Sequence, residues 1–442
     1  MGGTSAHVIV EEAPRASDAE PGAPPVVVPW LLSAKSPEAL AAQAQQLQAH
    51  AGGLAPVDVA HTLARRARLD HRAVVVGTGR EELLAGLDAL AAGEPGRGVV
   101  TGRAGSGKTA FMFTGQGAQR VGMGRELHEA FPVFAEAFDA VAAAFEPLSI
   151  AAAIWPQSTG VDLDRTENAQ PALFAIEVAL FRLVESFGLK PDYLIGHSIG
   201  ELTAAHVAGM LSLENAAKLV AARGRLMGAL PEGGAMVSVR ASEQAVRGSL
   251  EGFEDRLSIA AVNAPGSVVV SGHAEAADEW AEEVEWKTTR LRVSHAFHSH
   301  LMAPMLDEFR EVAAGLSFEE PAIPIVSNLT GAIEDMRKPE HWVRHVREAV
   351  RFADGIKTLE AAGVTRFLEL GPDGVLSALA RATVESGDAL LAPAMRAKRP
   401  EPQAFATFLA SAHTHGADVD WSPLTQGGHH VELPTGASAH TR

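Results

Sequence analysis

The stretch YLIGHSIGELTAAHVA, residues 193–208, constrains the fold more than any other part of the sequence. An apolar strand runs straight into G-x-S-x-G, and an alanine-rich helical segment follows without a spacer. A backbone can turn that sharply from strand to helix only where glycines flank the corner, and Gly196 and Gly200 stand there. The turn leaves the hydroxyl of Ser198 exposed beside a helix N-terminus, whose free amides can hold an oxyanion. Read blandly, the same residues are a Gly-Ser turn without chemistry, but the strand-turn-helix context favours a nucleophile. A strand that hands over to a helix in this way belongs to a parallel sheet. From the strand AFMFTG at Ala110 to about Met395, strands and helices do alternate as such a sheet requires.

The remainder of the 442 residues divides around that region, and a chain this long exceeds what one core usually serves. Residues 1–25 contain a short strand-like HVIVEE and then a Pro, Gly and Ala-rich connector. Residues 26–105 read as a small α/β unit: strand VVVPWLLSA, a helix from Ser36 to about His50, a second near Pro56 to Ala67, strand HRAVVVG and a helix from Glu81. The largest domain spans 106–395. Within it, residues 235–294 follow the order β-α-β-β-α-β of a ferredoxin-like subdomain, inserted into the larger sheet. Residues 396–442 read as a truncated linker, with no packed element expected in GGHHVELPTGASAHTR.

Composition removes several function classes. The absence of cysteine excludes a disulfide framework, a thiolate metal site and a cysteine nucleophile. A formal charge of -17 argues against nucleic acid as a partner, and it means that an anionic substrate must be met by a locally placed Arg or Lys. No apolar run approaches the ~20 residues of a membrane span, and the N-terminus carries no export signal, so no membrane partner and a cytoplasmic location are expected.

A nucleophilic serine needs a base, and HAFHSH at 295–300 offers three histidines just after the strand RLRVS. An imidazole with an ordinary pKa near ~6.5 suits that task. The H-x-x-H-x-H spacing could instead supply metal ligands, or the histidines could be solvated loop residues, and spacing alone does not choose. On the helix LVAARGRLM, Arg223 and Arg225 lie on different faces, so only one can point at the site. FMFTGQGAQ, residues 111–119, is a strand ending in a Gly-rich turn whose amides could complete an oxyanion hole. GRAGSGKT, residues 102–109, matches the phosphate-binding pattern G-x-x-x-x-G-K-[ST] in full, but a strand follows where the mechanism needs a helix. It reads as a flexible Gly-rich linker.

Taken in order, GQGAQ, GHSIGE, the R-G-R-L-M helix and HAFHS resemble the acyltransferase domain of modular type I polyketide synthases. The small unit at 26–105 resembles the linker domain that precedes it, and GGTSAHVIVEEAP the end of a ketosynthase. The resemblance implies an excised piece of a longer synthase with an α/β-hydrolase-like large subdomain. It also implies transfer of a malonyl unit from malonyl-CoA through a serine ester to an acyl carrier protein, with a ketosynthase in the same polypeptide and no metal or cofactor. It makes Ser198 the nucleophile and His298 the base, leaving His295 and His300 without a catalytic role. Arg223 would hold the substrate carboxylate, and the amides of Gln116 and Ile199 the oxyanion. The main chain of Arg351, in REAVRF, would orient the histidine. Gln170, Asn263, His295 and Phe297 would line the pocket. Phe297 and Ile199 both imply malonyl rather than methylmalonyl, since methylmalonyl-selective relatives typically carry a small residue before the histidine and a glutamine after the serine.

Overall fold

The computed structural model describes residues 25–94, 96–156, 160–293 and 295–435. The expected strand HVIVEE and the connector before Pro25 lie outside them. Five parallel strands form the central sheet, in the order Ile325–Val326, Tyr193–Gly196, Lys108–Phe113, Val364–Leu370, Leu390–Pro393. Numbered along the chain this is 3-2-1-4-5, the doubly wound order in which sites gather at the carboxyl ends of the strands. Its central strand and the neighbouring Tyr193–Gly196 are apolar on both faces, as a sheet covered by helices demands: Phe111, Phe113, Leu194 and Ile195 are all fully buried. The 21-residue helix Thr166–Ser186 lies against them, with Phe181 edge-on to Phe111.

The insertion is the expected ferredoxin-like subdomain. Its four antiparallel strands are ordered Leu257–Ala264, Ser267–His273, Gly234–Val239, Thr288–Arg290, and the helices Glu243–Ser249 and Ala274–Glu283 complete it. Trp280, Val246 and Phe253 form part of a separate small core. The last strand is shorter than TTRLRVS suggests and ends at Arg290.

The N-terminal unit pairs Val28–Ala34, His71–Gly77 and Val99–Arg103 into an antiparallel sheet. One face packs on its own helices through Trp30, Leu40, Leu47, Val75 and Leu83. The other face, Leu31, Val74 and Val76, joins the main core. Two expectations need correction here. GRAGSGKT is not a flexible linker: Gly102 and Arg103 end one strand and Lys108 and Thr109 begin the central one, leaving only residues 104–107 as loop. That loop is pinned, with the Gly105 amide donating to the His415 carbonyl (2.9 Å) and Arg366 donating to that of Gly107 (2.7 Å). The segment after Met395 is likewise packed. Helix Glu401–His415 buries Phe405, Phe408 and Leu409, and residues 427–433 return along helix Pro56–Ala64. There the His429 amide meets Asp58 (2.7 Å) and that of Val431 meets Thr62 (3.0 Å). Those contacts are made by main chain, which leaves no hydrophobic period in the sequence to read.

Candidate active site

At the corner after Tyr193–Gly196, Ser198 takes φ 54° and ψ −117° immediately before helix Ile199–Val207. The flanking glycines are steric necessities. A Cβ on Gly196 would lie 2.1 Å from the Glu201 amide nitrogen, and one on Gly200 would lie 2.1 Å from the Phe113 carbonyl oxygen. The His197 amide donates to that same carbonyl (3.0 Å), so the loop after Lys108–Phe113 is drawn against the elbow. Gly115 completes the approach, since its Cβ would stand 2.8 Å from the His197 carbonyl oxygen. The Gln116 and Ile199 amides thus lie at the ends of adjacent strands, and neither donates to a protein acceptor among the described residues. Amides left free beside a serine hydroxyl suit a developing oxyanion.

His298 Nε2 lies 2.9 Å from Ser198 Oγ. The only non-glycine residues with positive φ among those described are Ser198 and His298 (56°), at a cost of about 1–3 kcal/mol each. Strain confined to two residues that touch one another points to function. His298 is oriented by the Glu348 carbonyl, which accepts from Nδ1 at 2.9 Å, and not by Arg351. The Arg351 amide donates instead to the Asn328 carbonyl (2.8 Å), and its guanidinium forms a fork with Glu243 (2.8 Å on each arm). With Nδ1 donating, Nε2 carries the lone pair toward Ser198. Burial, with the nearby Arg223 and His197, holds the imidazole pKa down to about 3, which keeps it neutral at physiological pH.

Arg223 is 1% exposed and donates to Ser198 Oγ (3.1 Å) and Gln170 Oε1 (2.9 Å). Its Nε has no partner, and no carboxylate pairs with it among the described residues. Burial lowers its pKa to about 9, and Glu201, beyond ion-pair distance, offsets part of that shift. The guanidinium therefore remains a cation, and it lies next to the serine with no anion to balance it. Small residues let its helix, Leu213–Gly228, come this close: Gly224 and Gly228 pack on Thr166 and Glu167. Arg225, on the other face, is exposed.

Gln170 bridges Arg223 to Gln116, its Nε2 lying 3.4 Å from Gln116 Oε1. Asn263 reaches this site through His197, whose Nε2 donates to its Oδ1 (2.8 Å). Phe297 is buried beside the histidine, 8% exposed. His295 turns away, with Nε2 2.7 Å from the Leu230 carbonyl, and His300 faces His273 at 5.2 Å. The three imidazoles of HAFHSH thus do not converge, and no group of three metal-binding side chains is placed for a metal among the described residues. Sequence reasoning missed Glu348 and Asn328. Glu348 acts through its main chain, which any residue could supply. Asn328 follows Ile325–Val326, a strand of two residues, too short to register as a pattern.

A doubly wound parallel sheet that bears a serine elbow, with a histidine placed just after an inserted ferredoxin-like subdomain, defines an acyl-transferring enzyme. The chain belongs to the acyl transferase domain family, which matches residues 110–419. A second family, described as CurL-like, PKS C-terminal, matches residues 30–87. The phenolphthiocerol synthesis polyketide synthase type I Pks15/1 of Mycobacterium marinum is 48% identical over 468 residues, covering all of this chain and 22% of that protein. The mycoketide-CoA synthase of Mycobacterium tuberculosis is 48% identical over 456 residues, again covering all of this chain but 11% of that protein. The chain therefore spans less than a quarter of these relatives' length. Among solved structures, the acyltransferase domain from the second module of the salinomycin polyketide synthase is 54% identical at a TM-score of 0.79, covering 92% of this chain and 98% of that one. A malonyl-CoA:acyl carrier protein transacylase from Xanthomonas oryzae pv. oryzae is 33% identical at 0.63, covering 70% and 98%. The chain is an acyltransferase domain of the modular polyketide synthase type, related to malonyl-CoA:acyl carrier protein transacylases. No helix among the described residues is long and apolar enough to cross a membrane.

Proposed function

We propose that this domain takes a malonyl group from malonyl-CoA onto Ser198 and passes it to the phosphopantetheine thiol of an acyl carrier protein. The observation that carries the reading is the buried, unbalanced guanidinium of Arg223, 3.1 Å from Ser198 Oγ. A site for a neutral acyl chain would gain nothing from a buried cation, whereas the free carboxylate of malonate can accept a paired, charge-assisted contact from it. Ser198 Oγ attacks the thioester carbonyl as its proton passes to His298 Nε2. The oxyanion meets the Gln116 and Ile199 amides, and coenzyme A leaves as the thiol with the proton from His298. In the second half the carrier thiol gives its proton to His298, its sulfur forms the new thioester, and Ser198 Oγ departs and is reprotonated. Every atom and proton balances in this ping-pong exchange without a metal or a further cofactor.

Gln170 holds Arg223 in line, and Asn263 holds His197 at the edge of the elbow. Phe297 supports malonyl over methylmalonyl as the extender, because its ring fills volume that an α-methyl branch would need. The curated relatives are much longer chains, so we also place a ketosynthase beside this domain in one polypeptide and the reaction in the cytoplasm. The test is intact-protein mass measurement after brief exposure to malonyl-CoA. Wild type should gain one malonyl adduct and Ser198→Ala none, since the chain has no cysteine to substitute. An adduct of the same mass on the variant would overturn the assignment.

A further inference from the structure

One buried residue outside the expected site is bonded both to the elbow and to the segment that holds the histidine. Asn328, 1% exposed, lies two residues past the edge strand Ile325–Val326, which pairs in parallel with the strand leading to the elbow. Its Oδ1 accepts from the Ser198 amide (3.0 Å) and its Nδ2 donates to the Gly196 carbonyl (2.7 Å). A flipped amide would set donor against donor and acceptor against acceptor, so this orientation is fixed by its partners. The main chain of Asn328 is equally committed. Its amide donates to Glu201 Oε1 (2.6 Å), and its carbonyl accepts from the Arg351 amide (2.8 Å). Arg351 lies three residues beyond Glu348, whose carbonyl orients His298.

Two links therefore meet in one residue: a side-chain clamp on the peptides that lead into the nucleophile, and a main-chain bond to the segment that holds the base. Around it the packing is closed. Glu201, fully buried, also meets His341 Nε2 (3.1 Å) and His345 Nε2 (3.2 Å), and His345 Nε2 lies 3.3 Å from Asn328 Oδ1. A serine held at positive φ does not keep that conformation unaided, and the side-chain bonds to the Gly196 carbonyl and the Ser198 amide restrain the chain leading into it. Resting on the reading that Ser198 and His298 carry the transfer, we propose that Asn328 is a positioning residue. It sets their separation by bonding the elbow with its side chain and the histidine-holding segment with its main chain.

A residue that only filled the core would affect folding, and one that only shaped the substrate pocket would affect KM. A positioning residue instead lowers the maximal acylation rate. In single-turnover malonylation followed by intact mass, Asn328→Ala should lower that rate about 10²-fold, the scale of an ~1 Å misplacement, with KM within about threefold of wild type. Asn328→Asp keeps the acceptor for the Ser198 amide and loses the donor to Gly196, so it should be slowed about tenfold. Labelling of Ser198 by a fluorophosphonate, which needs the aligned serine and histidine but not the malonyl carboxylate, should fall by the same factors. A wild-type rate in either variant, a loss confined to KM, or an Asp variant as slow as the Ala variant would overturn the proposal. If the Ala variant does not fold, the Asp variant decides by the same criteria. A wild-type chain that takes the phosphonate but no malonyl group would sink the substrate reading and leave this test intact.

Discussion

Replacing Arg223 by alanine separates substrate charge from the rest of the chemistry. In the free enzyme the guanidinium is buried without a carboxylate, so bound malonate supplies the missing partner. Truncating one member of a buried ion pair leaves the other unpaired, at a cost of about 3–5 kcal/mol. At about 1.4 kcal/mol per factor of ten, kcat/KM for malonyl-CoA should fall by roughly 10² to 10³·⁵. Acetyl-CoA brings no carboxylate and should change by less than about tenfold, through the altered support of Ser198 and Gln170. The ratio of acetyl to malonyl transfer should therefore rise by at least about tenfold. Competition between equal concentrations of the two thioesters, read as acetyl-Ser198 against malonyl-Ser198 by intact mass, measures that ratio directly. Arg225→Ala, on the exposed face of the same helix, should leave it alone. Lysine at position 223 should restore only part of the preference, because an ammonium lacks the planar fork that matches a carboxylate. An unchanged ratio in Arg223→Ala would refute the reasoning.

His298→Ala should slow acylation by ~10²-fold or more, while His295→Ala, whose imidazole bonds the Leu230 carbonyl, should stay within a few-fold; equal losses in rapid-quench assays would reverse the choice of base. The acid limb of wild-type acylation should lie well below pH 6.5, since burial and Arg223 hold His298 down to about 3, and a limb centred near 6.5 would contradict that environment. The same depressed pKa favours proton uptake by the unfolded chain, so the His298 contribution to stability is complete above pH 6.5 and is lost progressively as pH falls toward 3, which chemical denaturation at several pH values can follow. Phe297→Ser should narrow the malonyl to methylmalonyl ratio by no more than ~10 to 200-fold, the worth of about one methylene, and an unchanged ratio in thioester competition would place the ring outside the selectivity pocket.

Much of this site could be read from residues alone because its chemistry is written in side chains at rigid corners. The glycines of GHSIG forecast the turn, since no other residue fits 2.1 Å from neighbouring backbone. The order β-α-β-β-α-β forecast the insertion, because each element shows its own period. The carbonyl that orients His298 was placed three residues too far along, at Arg351, since main-chain acceptors carry no residue signature. Asn328 was invisible for a related reason. Its importance comes from the parallel register that seats Ile325–Val326 beside Leu194 and Ile195, a long-range pairing that local sequence does not encode. The packed tail after Met395 failed to show because residues 427–433 are held chiefly by main-chain hydrogen bonds to side chains of another helix.

The distribution of the working groups over the fold bears on how the alignment survives. Ser198 stands on the parallel sheet, and His298 follows the ferredoxin-like insertion between Phe297 and Met302, both part of the main core, so their 2.9 Å contact joins two segments far apart in the chain. A contact between such distant segments is only as exact as the chain that supports both of them. Much of that support comes from the segment around Val350. The Val350 amide donates to the Ala260 carbonyl (2.8 Å), its own carbonyl accepts from the Val262 amide (2.9 Å), and Arg351 forks onto Glu243 of the insertion. The same segment presents the Glu348 carbonyl to His298 and receives the Asn328 carbonyl from the elbow side. Serine, histidine and both subdomains are thereby referred to one short stretch of main chain. The strain at Ser198 and His298 follows from that arrangement, since each side chain is aimed at the other by a backbone that its own preferences would not choose.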